Sequence, residues 1–408
     1  MKAVVYDFSI PKYLAAKALG KQFPSLYYGK PSALSIRDIE EPSLPGENWV
    51  KVKPVYSGLC GSDMGAIFYK TSPALTPFNS FPSVLGHEVV GVVTEVGRKV
   101  NRVEVGQRIS IDPYMGCEVR GRENPCPACR KGMHSLCRYT GGTDFFGPGM
   151  LLGFSKDFPG GWGESLVVHE SMVIPVPSTI TDKIAAMTEP LSVGLHAVLR
   201  RPPEPKEHIL VIGGGIIAYS VIAAIQLLEI DCHITHLSLL PYQKEMGLKL
   251  GVHEALTSRK EVEDSILNLS ETTRHKPAIG RDVFRGGFDA VFDCIGSQES
   301  LDDSLRMTRG RGFVTLVGCA GEIKKLDWTF IWANELSVLG THAYSKKEWW
   351  QSREISTQDL LIELIEQHRT YPLESLVTHE FSLNQYQEAI IANIDRARYK
   401  SIKTLFRM

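Results

Sequence analysis

Two architectures follow one another along this chain, a β-rich first half and a parallel, doubly wound α/β second half. In the first half, "NWVKVKPVYSG", "VVGVVTEVG" and "QRISIDPY" mix β-branched and polar residues near period two between Gly, Pro and Asn, as short strands of an antiparallel, barrel-like sheet do. In the second half, buried-strand runs alternate with helical ones: "HILVIG", an apolar helix to about Leu228, "CHITHL", "QKEMGLKLG", "FDAVFDCIG", "SLDDSLRMT" and "RGFVTLVG". Length is the third observation. At 408 residues the chain exceeds one ordinary core, which predicts at least two domains, each burying its own apolar surface.

The remaining elements are shorter. "TQDLLIELIEQHR" predicts a helix near the carboxyl end, and the alternating "SIKTLFRM" predicts an edge strand. Residues 10–31, with "KYLAAKALGKQF", read as a short helix and loop interrupting the first strands. No internal repeat or low-complexity tract is present.

Composition narrows the function classes. With 45 basic and 46 acidic residues interspersed, the net charge of -1 offers no footprint for nucleic acid or an anionic membrane, which leaves a small-molecule partner. "MKAVVYDFSI" has neither the charged start nor the long apolar core of an export signal, so a cytoplasmic chain is expected. Residues 209–228 carry no charge over about 20 positions, the length of a bilayer span. Three consecutive glycines break the run into a strand and a following helix. Four of the eight cysteines fall in one short window, which in a large chain without an export signal points to metal rather than disulfides.

"VIGGGIIA" places Gly213, Gly215 and Ala218 in the spacing G-x-G-x-x-A between a buried strand and a helix. Such a turn lets backbone approach a pyrophosphate while the helix amino terminus offers free N–H groups, so a dinucleotide is expected there. The acidic residue that would grip the adenosine ribose, about 20 positions on, is replaced by His236, and no arginine follows to receive a 2′-phosphate. NAD and NADP both stay open. His236 reads equally well as a strand-end histidine and as a cofactor contact.

"CEVRGRENPCPACRKGMHSLC" gives C-x8-C-x2-C-x7-C, formed by Cys117, Cys126, Cys129 and Cys137. Four thiolates close a tetrahedral zinc site and leave no position for substrate, so this site is structural; an iron–sulfur cluster also takes four cysteines. "SGLCGSD" and "LGHEVVG" add Cys60, His87 and Glu88, and "MTEPLSVGLHAV" adds Glu189. A thiolate, an imidazole and a carboxylate are the mixed donors of a catalytic zinc that keeps a place for water or substrate. Taken singly, Cys60 reads as a buried hydrophobe and Glu189 as a helix amino-terminal charge.

Together these stretches resemble the zinc-dependent medium-chain dehydrogenase/reductase family, the alcohol dehydrogenase superfamily. The likeness runs in the family's order through "GLCGSD", "LGHEVVGVVTEVG", "VEVGQRI", the cysteine loop, "TEPLSVGLHAV", "VIGGGIIA", "FDAVFDCIGS" and "NELSVLG". "EPLSVGLHA" is most similar to the sorbitol and threonine dehydrogenase branch. The resemblance implies a GroES-like barrel catalytic domain over 1–192, completed by 345–408, and a Rossmann domain over 193–344.

It also implies that Cys60, His87 and Glu88 are catalytic zinc ligands, with Glu189 a ligand or close neighbour. Ser62 would relay the alcohol proton, Gly213, Gly215, Ile216 and Ile217 would hold the pyrophosphate, and Gly318 would lie near the nicotinamide. One catalytic and one structural zinc, NAD or NADP, and a dimer or tetramer follow from the same likeness. Three departures stand out: Gly65 where many members carry a proton-relay histidine, a longer first interval in the cysteine loop that puts Cys117 in question, and His236 in place of the acid.

The chemistry implied is hydride transfer between a secondary alcohol, of polyol or amino-alcohol type, and a nicotinamide. Zinc lowers the pKa of bound water from about 15.7 to about 7, and an alcohol hydroxyl should respond similarly. The competing readings are a zinc-independent quinone or enone reductase of the superfamily and a non-catalytic nucleotide-binding protein of the same fold.

Overall fold

The computed structural model describes residues 1–269, 272–319 and 321–408. It divides into two compact units, 1–189 with 345–366 and 377–408, and 190–344 with 367–376.

In the first unit the strand Trp49–Gly58 is the hub. It pairs antiparallel with Val89–Val96, with Leu166–His169 and with Lys403–Arg407. Its Pro54 cannot donate to a ladder, and the register shifts beside it, between Pro54 and Tyr56. Alternation places Val50, Val52, Val89, Val93, Ile109 and Leu166 in one core, where Trp49 stacks on Phe158 with ring centroids 5.3 Å apart.

"SIKTLFRM" is not an edge. The strand Lys403–Arg407 lies between Val377–Ser382 and Trp49–Gly58, because both of its ladders are occupied. Residues 10–31 form the helices Ile10–Leu19 and Ser25–Tyr28. Their Tyr13 and Tyr27 pack on Tyr69 and Phe68, which follow the helix Gly61–Ile67.

The second unit is a six-stranded parallel sheet in the order Glu254–Leu256, His233–Leu237, His208–Ile212, Phe288–Asp293, Thr308–Leu316, Ser337–Gly340. The strands stay parallel, but the order in which they are added reverses between His208–Ile212 and Phe288–Asp293, the switch point at which doubly wound sheets take their ligands. The uncharged run at 209–228 resolves into the end of strand His208–Ile212, the glycine turn and the buried helix Ile216–Leu227. Among the described residues no helix is long and apolar enough to cross a membrane. Residues 367–376, expected with the barrel-completing tail, pack instead in this unit, where Tyr371 donates to the Leu250 carbonyl at 2.8 Å.

Candidate active site and metal centres

Strand pairing explains why a histidine and a glutamate precede an apolar strand. Ser57 lies opposite Val89, and Gly58 N–H donates to the Glu88 carbonyl at 2.7 Å, so two segments 27 residues apart in sequence end side by side. One end leads into Cys60, which precedes the helix Gly61–Ile67, and the other presents His87 and Glu88. One ligand atom from each of Cys60, His87 and Glu88 falls within 4.8 Å of the others. Gly58 makes the approach feasible, since a methyl group there would collide with the Glu88 carboxylate.

The imidazole of His87 is held from two sides. Ser62 Oγ lies 3.3 Å from Nε2, and Asp63 Oδ1 lies 3.5 Å from Nδ1. Asp63, fully buried, also accepts from Cys60 N–H at 2.9 Å and so ties the thiol and the imidazole to one carboxylate. Burial opposes a charge on His87, but Asp63 and Cys60 outweigh it and raise its pKa well above the ordinary value. Oε1 of Glu88 is buried with neither a hydrogen bond nor an ion pair, an orphaned acceptor that a divalent cation would satisfy. A soft thiolate, an imidazole and a carboxylate fit zinc.

Glu88 forms an ion pair with Lys403, and both side chains are fully buried. Lys403 also donates to the Leu59 carbonyl at 3.2 Å. Neither Asp63 nor Lys403 was assigned from the sequence. Asp63 had a local signal, since an acid three residues after a helix cap closes a capping box. Lys403 had a weaker one, a lysine within an alternating apolar strand. Replacing Lys403 by methionine leaves Glu88 buried and uncompensated, so a loss of about 3–5 kcal/mol is expected in urea melts. Adding Glu88→Gln should recover most of it, and strict additivity of the two changes would exclude the pairing.

Glu189 stands in the first turn of the helix Thr188–Arg200, 5 % exposed and outside the set of three. Burial pushes its carboxyl up to about 7, with His87 and Lys403 opposing and Glu88 and Asp112 adding to the rise.

The cysteine loop closes on itself. Cys117, Cys126, Cys129 and Cys137 present sulfurs within 4.8 Å of one another, and Cys117 Sγ to Cys137 Sγ is 3.6 Å. The edge of a tetrahedron with zinc–sulfur arms of about 2.3 Å is about 3.8 Å, so the longer first interval does not remove Cys117 from the set. Burial raises the Cys126 thiol, but N–H groups and neighbouring thiols pull it to about 6, whereas hydrogen bonding to Cys137 and burial raise Cys129. Four thiols this close cannot ionise together without a cation. The loop is anchored by His134, whose Nε2 lies 2.7 Å from Asp112 Oδ2.

In the second unit Gly213, with φ of +134°, takes a conformation that only glycine adopts without strain. Gly215 then caps the helix Ile216–Leu227, whose first turn at Ile216 and Ile217 is half-exposed, a fit for pyrophosphate. Gly318 N–H donates to the Asp293 carbonyl at 2.9 Å, and its missing side chain lets it lie on the Ile295–Gly296 backbone.

His236 does not face a ribose, which corrects the sequence expectation. It has no exposed surface, and its Nε2 donates to the Gly213 carbonyl at 2.7 Å, supporting the turn from beneath. Counting along the sequence placed it at the strand end; the register puts Leu237 opposite Ile212, so the exit comes two residues later. Burial lowers its pKa from 6.5 to about 4. The unfolded chain therefore takes up this proton before the folded one, and stability falls by about 3 kcal/mol as pH drops through that window. In His236→Gln the melting temperature should lose this part of its acid slope; matching slopes in both proteins would exclude it.

The family profile "Alcohol dehydrogenase GroES-like domain" matches residues 46–178, and "Zinc-binding dehydrogenase" matches 221–357. The chain is 27 % identical over 358 residues to L-idonate 5-dehydrogenase of Vitis vinifera, covering 86 % of each chain. It is 26 % identical over 377 residues to sorbitol dehydrogenase of Arabidopsis thaliana, covering 92 % of this chain and 93 % of that one. It shares the fold of 2R,3R-butanediol dehydrogenase from Bacillus subtilis, with a TM-score of 0.73 and 22 % identity over 100 % of this chain and 99 % of that one.

Proposed function

Because the chain belongs to the zinc-type medium-chain dehydrogenases of the sorbitol/threonine branch, we propose that it oxidises a secondary alcohol of the polyol or amino-alcohol type, reversibly, with a nicotinamide coenzyme. The observation that carries the reading is the convergence of Cys60, His87 and Glu88 at one point, beside the Ser62 hydroxyl. The relatives' names, L-idonate 5-dehydrogenase and sorbitol dehydrogenase, support the substrate class.

Zinc held by Cys60, His87 and Glu88 would supply Lewis-acid polarisation of the hydroxyl, and the nicotinamide would supply the hydride acceptor. The protein's own groups do the rest. Asp63, on the far side of the imidazole, fixes its tautomer and orientation, as a carboxylate behind a ligating histidine does. Ser62 Oγ takes up and passes on the hydroxyl proton. Lys403 offsets the charge of Glu88, which limits the excess of negative charge that two carboxylates and a thiolate bring to a buried site. Glu189 adds a carboxyl that burial keeps near neutral pH in its titration. Gly213, Gly215, Ile216 and Ile217 hold the coenzyme pyrophosphate by backbone N–H groups.

The chain is also proposed to be cytoplasmic and homo-oligomeric. Free clustered cysteines support a reducing compartment. The exposed Trp328, Trp332 and Val338 around the edge strand Ser337–Gly340 give a second copy an apolar surface to cover. The test of the function is a turnover screen of zinc-loaded protein against polyols, amino alcohols and simple secondary alcohols with each coenzyme. Activity confined to enones or quinones, and untouched by chelation, would instead favour the zinc-independent reductase.

A further inference from the structure

The exit of the second strand of the nucleotide sheet bears on coenzyme choice, an inference that rests on the dinucleotide reading above. Gly213 N–H donates to the Leu237 carbonyl at 2.9 Å, and Ser238 N–H donates to the Leu256 carbonyl at 3.0 Å. The residue that leaves the sheet beside the glycine turn is therefore Ser238. A carboxylate at such an exit grips the 2′-hydroxyl of an adenosine ribose and repels a 2′-phosphate. Here the exit reads Ser238, Leu239, Leu240, Pro241, and the chain has no acid after it until Glu245.

Four observations describe what the exit offers in place of an acid. His236 is turned inward and spends its donor on Gly213, so it takes no part. Ser238 is 2 % exposed, and its Oγ is buried without a hydrogen-bond partner, a hydroxyl able to donate to a phosphate oxygen. Glu261, beside the neighbouring strand's exit, accepts from Thr257 N–H at 2.6 Å, and Lys244 adds to the lowering of its pKa. Arg259 and Lys260 open the helix Arg259–Asn268 on that same exit, although the Arg259 guanidinium is bonded to Asp303 at 2.7 Å. Arg259 also faces Glu263 and Asp302, so the basic side chains at that neighbouring exit are already matched by acids.

From this we infer that the nucleotide unit accepts a 2′-phosphorylated coenzyme, binding NADP(H) at least as tightly as NAD(H), with Ser238 as the residue that permits it. A hydroxyl gives the NAD ribose less than a two-oxygen acceptor would, and the repulsion that excludes a phosphate is missing.

The test is a titration of the full-length, zinc-loaded protein with NADPH and with NADH, followed by nicotinamide fluorescence and independent of any substrate. The expected result is a Kd for NADPH equal to or below that for NADH. In Ser238→Asp the NADPH affinity should fall about tenfold or more relative to NADH. Leu239→Asp, at an exposed neighbour that tolerates a charge, should shift the ratio in the same direction if Ser238→Asp does not fold. Tighter NADH binding by the unaltered protein, or an unchanged ratio in whichever variant folds, overturns the inference while leaving the dehydrogenase reading intact. Binding of neither coenzyme overturns the dinucleotide reading and this inference with it.

Discussion

His87→Ala is expected to lose turnover by about 10³-fold or more and to bind one zinc fewer per chain, while keeping its fold. The imidazole supplies one of three donors that meet within 4.8 Å, and a Lewis acid that contributes several kcal/mol to the reaction is lost with it. Folding should survive because Asp63, the carboxylate left behind, still accepts from Cys60 N–H. Zinc analysis and circular dichroism on the variant check both halves. Full activity in metal-depleted protein would remove the metal from the mechanism, and full zinc content in the variant would remove His87 from the metal.

Cys129→Ser should act on stability. Its sulfur is one of four that face one another in the loop, and metal binding at such a site is coupled to folding. A loss of about 3 kcal/mol lowers the melting temperature by about 10 °C in units of this size. Chelator that strips the loop of the unaltered protein should reproduce the shift, and no further shift should appear in the variant. An unchanged melting curve would reject a structural metal there.

Local pattern made much of the molecule legible. Period-two segments and glycine punctuation identify the strands around Trp49–Gly58 and Val89–Val96, and the alternation after His208 identifies the doubly wound sheet. The cysteine spacing identifies its cluster because four soft donors in one short loop have few other uses.

Register and long-range pairing lie outside any short window of sequence. Residue spacing alone sets His236 at a strand end, whereas the strand pairing puts the end at Leu237. A slip of one or two residues decides whether a side chain points at a ligand or into the core. "SIKTLFRM" reads as an edge because nothing in those eight residues records that two strands flank it.

By itself, then, the sequence determined the two architectures, the glycine turn and the candidate metal donors, since these depend on residue type and spacing within short windows. Only the tertiary structure decided that Lys403, more than three hundred residues from Glu88, is its buried counter-ion, that Asp63 backs His87, and that Ser238 rather than His236 leaves the sheet beside the turn. Those depend on which strands pair and in what register, and pairing across such separations is set by the packing of the whole sheet.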